Sequence, residues 1–185
     1  MKAYIVRHGQ TLFNLKHIVQ GWCDSPLTKL GIEQAKQAGE KLKNVDFEWA
    51  YCSTSERAVD TMNYILEGRN VSKSYCKGLK EINFGTMDGE KEDLVFNELN
   101  IKREDMPLYD GESPDMALNR FESTLLDISK NHNGNVLIVC HGGIMVNLMR
   151  KYAPDALEQS VGHPIPNCCI LVFEIKDSFK FIEKF

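Results

Sequence analysis

Long hydrophobic runs are missing from the start of this 185-residue chain. Met1-Lys2-Ala3-Tyr4-Ile5-Val6 is apolar only until Arg7 and His8, too short for a signal-peptide core or a membrane span. A cytoplasmic protein without a membrane partner is expected. A basic excess is missing too: 22 Lys and Arg stand against 26 Asp and Glu, a formal charge of −4. Nucleic acid is therefore excluded as the main partner, and any anion site must be local. The six cysteines form no Cys-x-x-Cys pair and no zinc-ribbon spacing, and no His-x-x-x-His motif accompanies the five histidines. A metal site is not expected, and the thiols read as reduced. Cys168 and Cys169 would project to opposite faces of a strand, which disfavours a bond between them. Repeats, low-complexity tracts and linkers are absent as well, so residues 1–185 are read as a single domain, monomeric or homodimeric.

What is present is an ordinary globular composition, 43% hydrophobic and 26% charged, arranged as alternating strands and helices. Short apolar runs predict strands at Ala3–Arg7, Trp49–Cys52, Val71–Tyr75 and Val136–Cys140. Helical spacing predicts helices from Thr28 to Lys43 with Thr28 as cap, through Ala58 to Leu66, from Pro114 to Lys130, and over Ile144–Tyr152. Cys169–Ile175 and Phe179–Phe185 read as two strands across an Asp177-Ser178 turn. The pattern predicts an α/β three-layer sandwich: a mostly parallel central sheet with an antiparallel edge element, and helices on both faces. Glu90-Lys91-Glu92-Asp93 reads as a solvated helix face.

Strands expected to end in polar groups give the sheet its chemistry. The first runs into Arg7-His8-Gly9, the second stops shortly before Arg57, and another runs into His141-Gly142-Gly143. Ligands of open α/β sheets bind beyond the carboxyl ends of strands, where helix N-termini present free N–H groups, so these segments can converge. Two guanidinium forks, two imidazoles and flanking glycines suit a phosphoryl group. An imidazole can also attack phosphorus and carry the group covalently, without a metal. Taken singly, each triplet is no more than a strand-to-helix turn.

Together they resemble the histidine phosphatase superfamily, also called the phosphoglycerate mutase-like family. The resemblance is carried by Arg7-His8-Gly9-Gln10-Thr11 with Asn14, Gln20-Gly21, Pro26-Leu27-Thr28 through Gly31, and Ser53-Thr54-Ser55-Glu56-Arg57-Ala58. It continues through Glu81, Phe84-Gly85, Gly89, Gly111-Glu112-Ser113 and His141-Gly142-Gly143. It implies that His8 is the nucleophile that becomes phosphohistidine, that Arg7, Arg57 and His141 hold phosphoryl oxygens, and that Glu81 protonates the leaving oxygen. Asn14, Gln20, Gly21 and Gly142 are implied to touch the substrate, a small phosphomonoester, and no cofactor is implied. His8 should donate its other N–H to a nearby backbone carbonyl, and Glu81 should be partly buried beside the phosphate. His17, His132 and His163 lie outside the pattern; His132 is expected to be exposed in its polar turn, and Asn167 is a weaker candidate for the pocket.

The same scaffold supports hydrolysis and phosphoglycerate mutation. Family mutases resemble one another in a Glu-Arg-His-Tyr-Gly run followed by a long basic insertion. Here the run is Glu81-Ile82-Asn83-Phe84-Gly85, without the cation and phenol that hold a carboxylate. The tract to Gly111 is short, and Lys102-Arg103 reads as a solvated helix end. Hydrolysis is therefore favoured, with a cofactor-dependent phosphoglycerate mutase as the alternative and a non-catalytic phosphate or phosphoprotein binding module as the rival from another class. Met87 and Asp88 stand where a tryptophan and a glutamate are common in family phosphatases. Phe13, Trp22, Met87 and Tyr109 are expected to supply apolar contacts to the substrate.

Overall fold

β1 (Lys2–Arg7) and β4 (Asn135–Cys140) are apolar at nearly every position because both of their faces are covered. They lie side by side and parallel at the centre of a six-stranded sheet of order β3-β2-β4-β1-β5-β6. In the computed structural model, which describes residues 1–158 and 165–185, β2 (Phe47–Ser53) and β3 (Lys73–Cys76) extend the parallel half. β5 (Ile170–Ile175) runs antiparallel to β1, and β6 (Phe179–Lys184) closes the edge as a hairpin with β5. This is the expected sandwich. His163 lies outside the described residues.

Strand periodicity divides the core in two. Tyr4, Val6, Leu137 and Val139 point to one face, against Ala35, Ala38 and Leu42 from α2 (Lys29–Lys41) and its end, and against Ala58, Met62 and Ile65 from α3 (Glu56–Ile65). Ala3, Ile5, Val136 and Ile138 point to the other. There they meet Phe121 and Leu125 from α4 (Pro114–Ser129) and Ile144 and Leu148 from α5 (Gly142–Tyr152). Each such fully buried large side chain contributes roughly 1.5–3 kcal/mol. The helix starts are written in the sequence: Thr28 Oγ1 accepts the Gly31 N–H, Ser113 Oγ accepts that of Met116, and Pro114 occupies the first turn of α4.

Three features differ from the sequence expectation. A short helix, α1 (Leu12–Lys16), follows β1, capped by Thr11 and Asn14 in a reciprocal box and ended by His17 at φ 53°. Periodicity over so short a stretch carries no helical signal. Cys169 precedes β5 in a turn, where Cys168 is left-handed at φ 56°; the two thiols nevertheless pack into opposite cores. His132 is buried rather than exposed. Its Nδ1 pairs with Glu48 Oε1 at 3.0 Å and its Nε2 with the Tyr51 hydroxyl at 2.8 Å, tying the turn before β4 to β2. A polar turn becomes buried when its side chains find such partners, which spacing does not reveal.

Candidate active site

Because β1 and β4 are parallel and in register, with Arg7 opposite Cys140, the next residue of each strand emerges at the same level. Those residues are His8 and His141, whose ring centroids are 5.3 Å apart at an interplanar angle of 61°. The ladder continues one step into the site, with the His8 N–H donating to Cys140 O at 3.0 Å. His8 Nδ1 lies 2.8 Å from Gly9 O, a carbonyl that can only accept, so Nδ1 carries the proton and Nε2 keeps its lone pair. Burial, then the charges of Arg57 and Arg7, push the His8 imidazole well below its usual pKa. His141 is pushed the same way by burial, then by Arg57, His8, Lys80 and Arg7. Both rings are therefore biased toward the neutral form.

Arg57, in the first turn of α3, is fully buried. Nη1 donates to Cys23 O and to Asp24 Oδ1, both at 2.9 Å, and Nη2 donates to Gly21 O at 2.8 Å. Those bonds consume one side of the fork. Nε and the second N–H of Nη2 remain, the parallel pair that suits two oxygens of one anion. Arg57 Nε and both ring nitrogens of His141 are buried with no hydrogen-bond partner among the described residues. Such a concentration of orphaned polar atoms at one place is the signature of a ligand site.

Glu81 reaches the site from the loop after β3 and is 6% exposed. Oε2 accepts the Gly143 N–H at 2.7 Å, and Oε1 accepts the N–H groups of Ile82 and Ile144, each at 2.9 Å. Two of these donors belong to the first turn of α5, which also favours negative charge. The close approach depends on glycine: a Cβ on Gly143 would lie 2.8 Å from Glu81 Oε1, and one on Gly142 would lie 2.8 Å from Arg7 Nε. Arg7 Nη1 donates to Ile165 O at 2.6 Å, and burial lowers the guanidinium from its ordinary value against the opposing charge of Glu81.

Arg7, His8, Asn14, Gln20, Glu81 and Gly142 all line one cavity of about 290 Å³, while Arg57 and His141 are fully buried and are not among its lining residues. Asn14 Oδ1 accepts from Thr11 N and Asn167 Nδ2, and among the described residues its own side-chain N–H groups have no partner. Asn167 also donates to His8 O at 3.1 Å, so the weaker candidate stands beside His8. Gln20 is tied to Thr11 and Ser25. Gly21 does not border the cavity; its carbonyl holds Arg57 instead.

The apolar lining differs from expectation. Phe13, Trp22, Met87 and Tyr109 do not border the cavity, which is walled by Ile18, Val19, Ile82, Phe84 and Val146. Glu92, Arg103 and Arg150 also line it. Glu92 lies in the acidic run read as a solvated face, which is exposed as expected, and its N–H bonds to His17 O. Arg103, exposed at a helix end as expected, also lays its guanidinium over Phe84 at 5.4 Å and Phe96 at 5.0 Å. Arg150 lies outside the sequence expectation, although it follows Gly143 and Val146 at helical spacing on α5, a signal that the sequence does contain.

The family model for the histidine phosphatase superfamily, branch 1, matches residues 3–185. The chain belongs to this superfamily. A 2,3-bisphosphoglycerate-dependent phosphoglycerate mutase of Parvibaculum lavamentivorans is 30% identical, over 97% of this chain and 93% of that protein. Among solved structures, a phosphoglycerate mutase from Bacillus anthracis superposes with a TM-score of 0.83 at 28% identity, covering 98% of this chain and 92% of that one. A phosphoserine phosphatase variant from Entamoeba histolytica, in complex with phosphoserine, superposes at 0.78 with 26% identity, covering 99% and 95%. This histidine phosphatase superfamily member thus has mutase-like and phosphatase-like relatives over nearly its whole length. Among its described residues, no three His, Cys, Asp or Glu side chains are grouped to hold a metal ion, and no helix is long and apolar enough to cross a membrane.

Proposed function

We propose that the chain is a metal-independent phosphomonoester hydrolase that acts on a small phosphorylated metabolite through a phosphohistidine at His8. The observation that carries the reading is the buried His8 ring, locked through Nδ1 by Gly9 O so that Nε2 keeps its lone pair, together with the unpartnered Arg57 Nε. Nε2 attacks phosphorus, the bond from phosphorus to the ester oxygen breaks, and Glu81 gives that oxygen a proton. Water then attacks the phosphohistidine, Glu81 takes the proton back, and the P–N bond breaks to release phosphate. Arg7, Arg57 and His141 hold the equatorial oxygens, whose charge is spread in the transition state. Glu81 accepts three N–H groups, which fix its carboxyl in place.

Water as acceptor is supported by Ile82 and Phe84, which present hydrocarbon to the cavity where a carboxylate would need donors. The second reading, phosphoglycerate mutation, is favoured by Arg103 on the cavity wall and by the relatives named as mutases. Release of phosphate from a panel of phosphomonoesters with chelator present, run beside a phosphoglycerate isomerisation assay, separates the two. Rapid quenching with labelled substrate should trap an acid-labile phosphoenzyme that His8→Ala abolishes. A phosphoenzyme surviving in that variant refutes the mechanism. Isomerisation outpacing hydrolysis refutes the choice of water.

A further inference from the structure

Asp88 does not border the cavity, yet four donors converge on its carboxylate. Oδ1 accepts the Gly21 N–H at 2.7 Å and is met by Cys23 Sγ at 3.6 Å; Oδ2 accepts the N–H groups of Trp22 at 2.8 Å and Cys23 at 3.3 Å. Three successive amides thus form a nest around one anion. The carbonyls of the same stretch face the other way, and Gly21 O and Cys23 O are two of the three acceptors that hold the Arg57 fork. Each peptide hydrogen bond polarises the next, so anchoring the amides strengthens and aims the carbonyls. A Cβ on Gly21 would lie 2.8 Å from Asp88 Oδ1 and 2.4 Å from Ile82 O, so the loop has no room to settle elsewhere. The adjoining Trp22 indole donates to Glu81 O at 3.0 Å, which ties the same loop to the acid.

We propose that Asp88 is a positioning residue: through the backbone of residues 21–23 it sets the free edge of Arg57 that receives the phosphoryl oxygens. The proposal rests on the reading of Arg57 as a phosphate-binding group. Its third acceptor, Asp24, meets Arg57 directly but also caps the start of α3 by accepting the Glu56 N–H, so the loop and the helix are joined at the guanidinium. Asp88 instead stands on a tight turn from Gly85 to Met87, held by its own N–H on Gly85 O at 3.1 Å. It is a fixed post for the loop. Asparagine at this position would set an NH2 group against amide donors and lose at least one charge-assisted bond.

The test is a double-mutant cycle read as the dissociation constant of inorganic phosphate by calorimetry, with kcat and KM for p-nitrophenyl phosphate beside it. Asp88→Asn should weaken phosphate binding about tenfold and raise KM. Arg57→Gln should weaken it at least as much, and the double variant should match Arg57→Gln within about twofold. A residue that merely closes a loop would instead multiply the two losses. The proposal is overturned by multiplying losses, or by a phosphate affinity in Asp88→Asn within about twofold of the parent. Asp88→Ser, which keeps one acceptor, carries the same criteria if the Asn variant does not fold; failure of both to fold would assign Asp88 to folding and overturn the proposal. Phosphate binding is read without turnover, so a parent chain that binds phosphate and hydrolyses nothing refutes the hydrolase reading alone. A parent chain that binds no phosphate overturns both.

Discussion

Acid should destabilise this protein well above the usual range for carboxylates, and the cause should be traceable to two rings. His8 and His141 are 4% and 0% exposed, and burial together with Arg57 and Arg7 holds both imidazoles well below their ordinary pKa, with His8 and Lys80 adding to the effect on His141. A histidine kept neutral by the fold takes up its proton only on unfolding. Above about pH 6.5 neither state is protonated and the effect vanishes; below it the unfolded chain binds more protons, so stability falls as pH falls. Titration of the unfolded histidines alone bounds the loss from pH 7 to pH 5 at about 2 kcal/mol for one such ring and about 4 kcal/mol for two, a large share of a typical 5–15 kcal/mol. With a urea slope near 2 kcal/mol per molar, the midpoint should drop by up to about 2 M. Urea unfolding between pH 5 and pH 7 in phosphate-free buffer measures it, since a bound anion would change the protonation of both rings. His8→Asn and His141→Asn should each remove about half of the pH dependence, whatever they do to stability at pH 7. A parent whose stability is flat from pH 7 to pH 5, or variants that keep its full slope, would refute the electrostatic reading of the site.

Other consequences are open to measurement. Glu81→Gln should slow alkyl phosphates about a hundredfold or more while sparing p-nitrophenyl phosphate, whose leaving group needs little protonation; equal losses would count against Glu81 as the acid. Arg120 spans from α4 to the carbonyls of Gly78, Lys80 and Glu81 and pairs with Glu112 at 2.7 Å. Arg120→Met should therefore cost about 2–4 kcal/mol in chemical denaturation, with Glu112 left unpaired, and a change below about 0.5 kcal/mol would show that the bridge holds nothing. At the far end of the sheet, hydrogen bonds from His132 and Gly134 keep the Glu48 carboxyl below its usual range. Its contribution to stability should be full above about pH 4.5 and lost as pH falls below that, and Glu48→Gln should remove this acid limb from the unfolding profile.

The chain order of strands, helices and caps was legible because it is local. Two-sided burial makes β1 and β4 read as continuous apolar runs, and Thr28, Ser113 and Pro114 mark helix starts by chemistry that acts within four residues. The opening Arg7-His8 and the later His141-Gly142 were legible as strand ends, and a parallel register then set the two histidines side by side. What the linear pattern could not reveal was how distant polar groups pair. Arg57 is aimed by Gly21, Cys23 and Asp24, the loop carrying them is anchored by Asp88, and the Glu81 segment is braced by Arg120. Arg103 is exposed at a helix start, as its neighbours suggest, but only the fold reveals Phe84 and Phe96 under its guanidinium and its place on the cavity wall. Local sequence determined the elements and which residue types end the strands, because capping and periodicity are short-range. Only the tertiary structure decided which donors those residues keep for a ligand, because a guanidinium or carboxylate is committed by whichever partners the fold brings within about 3 Å.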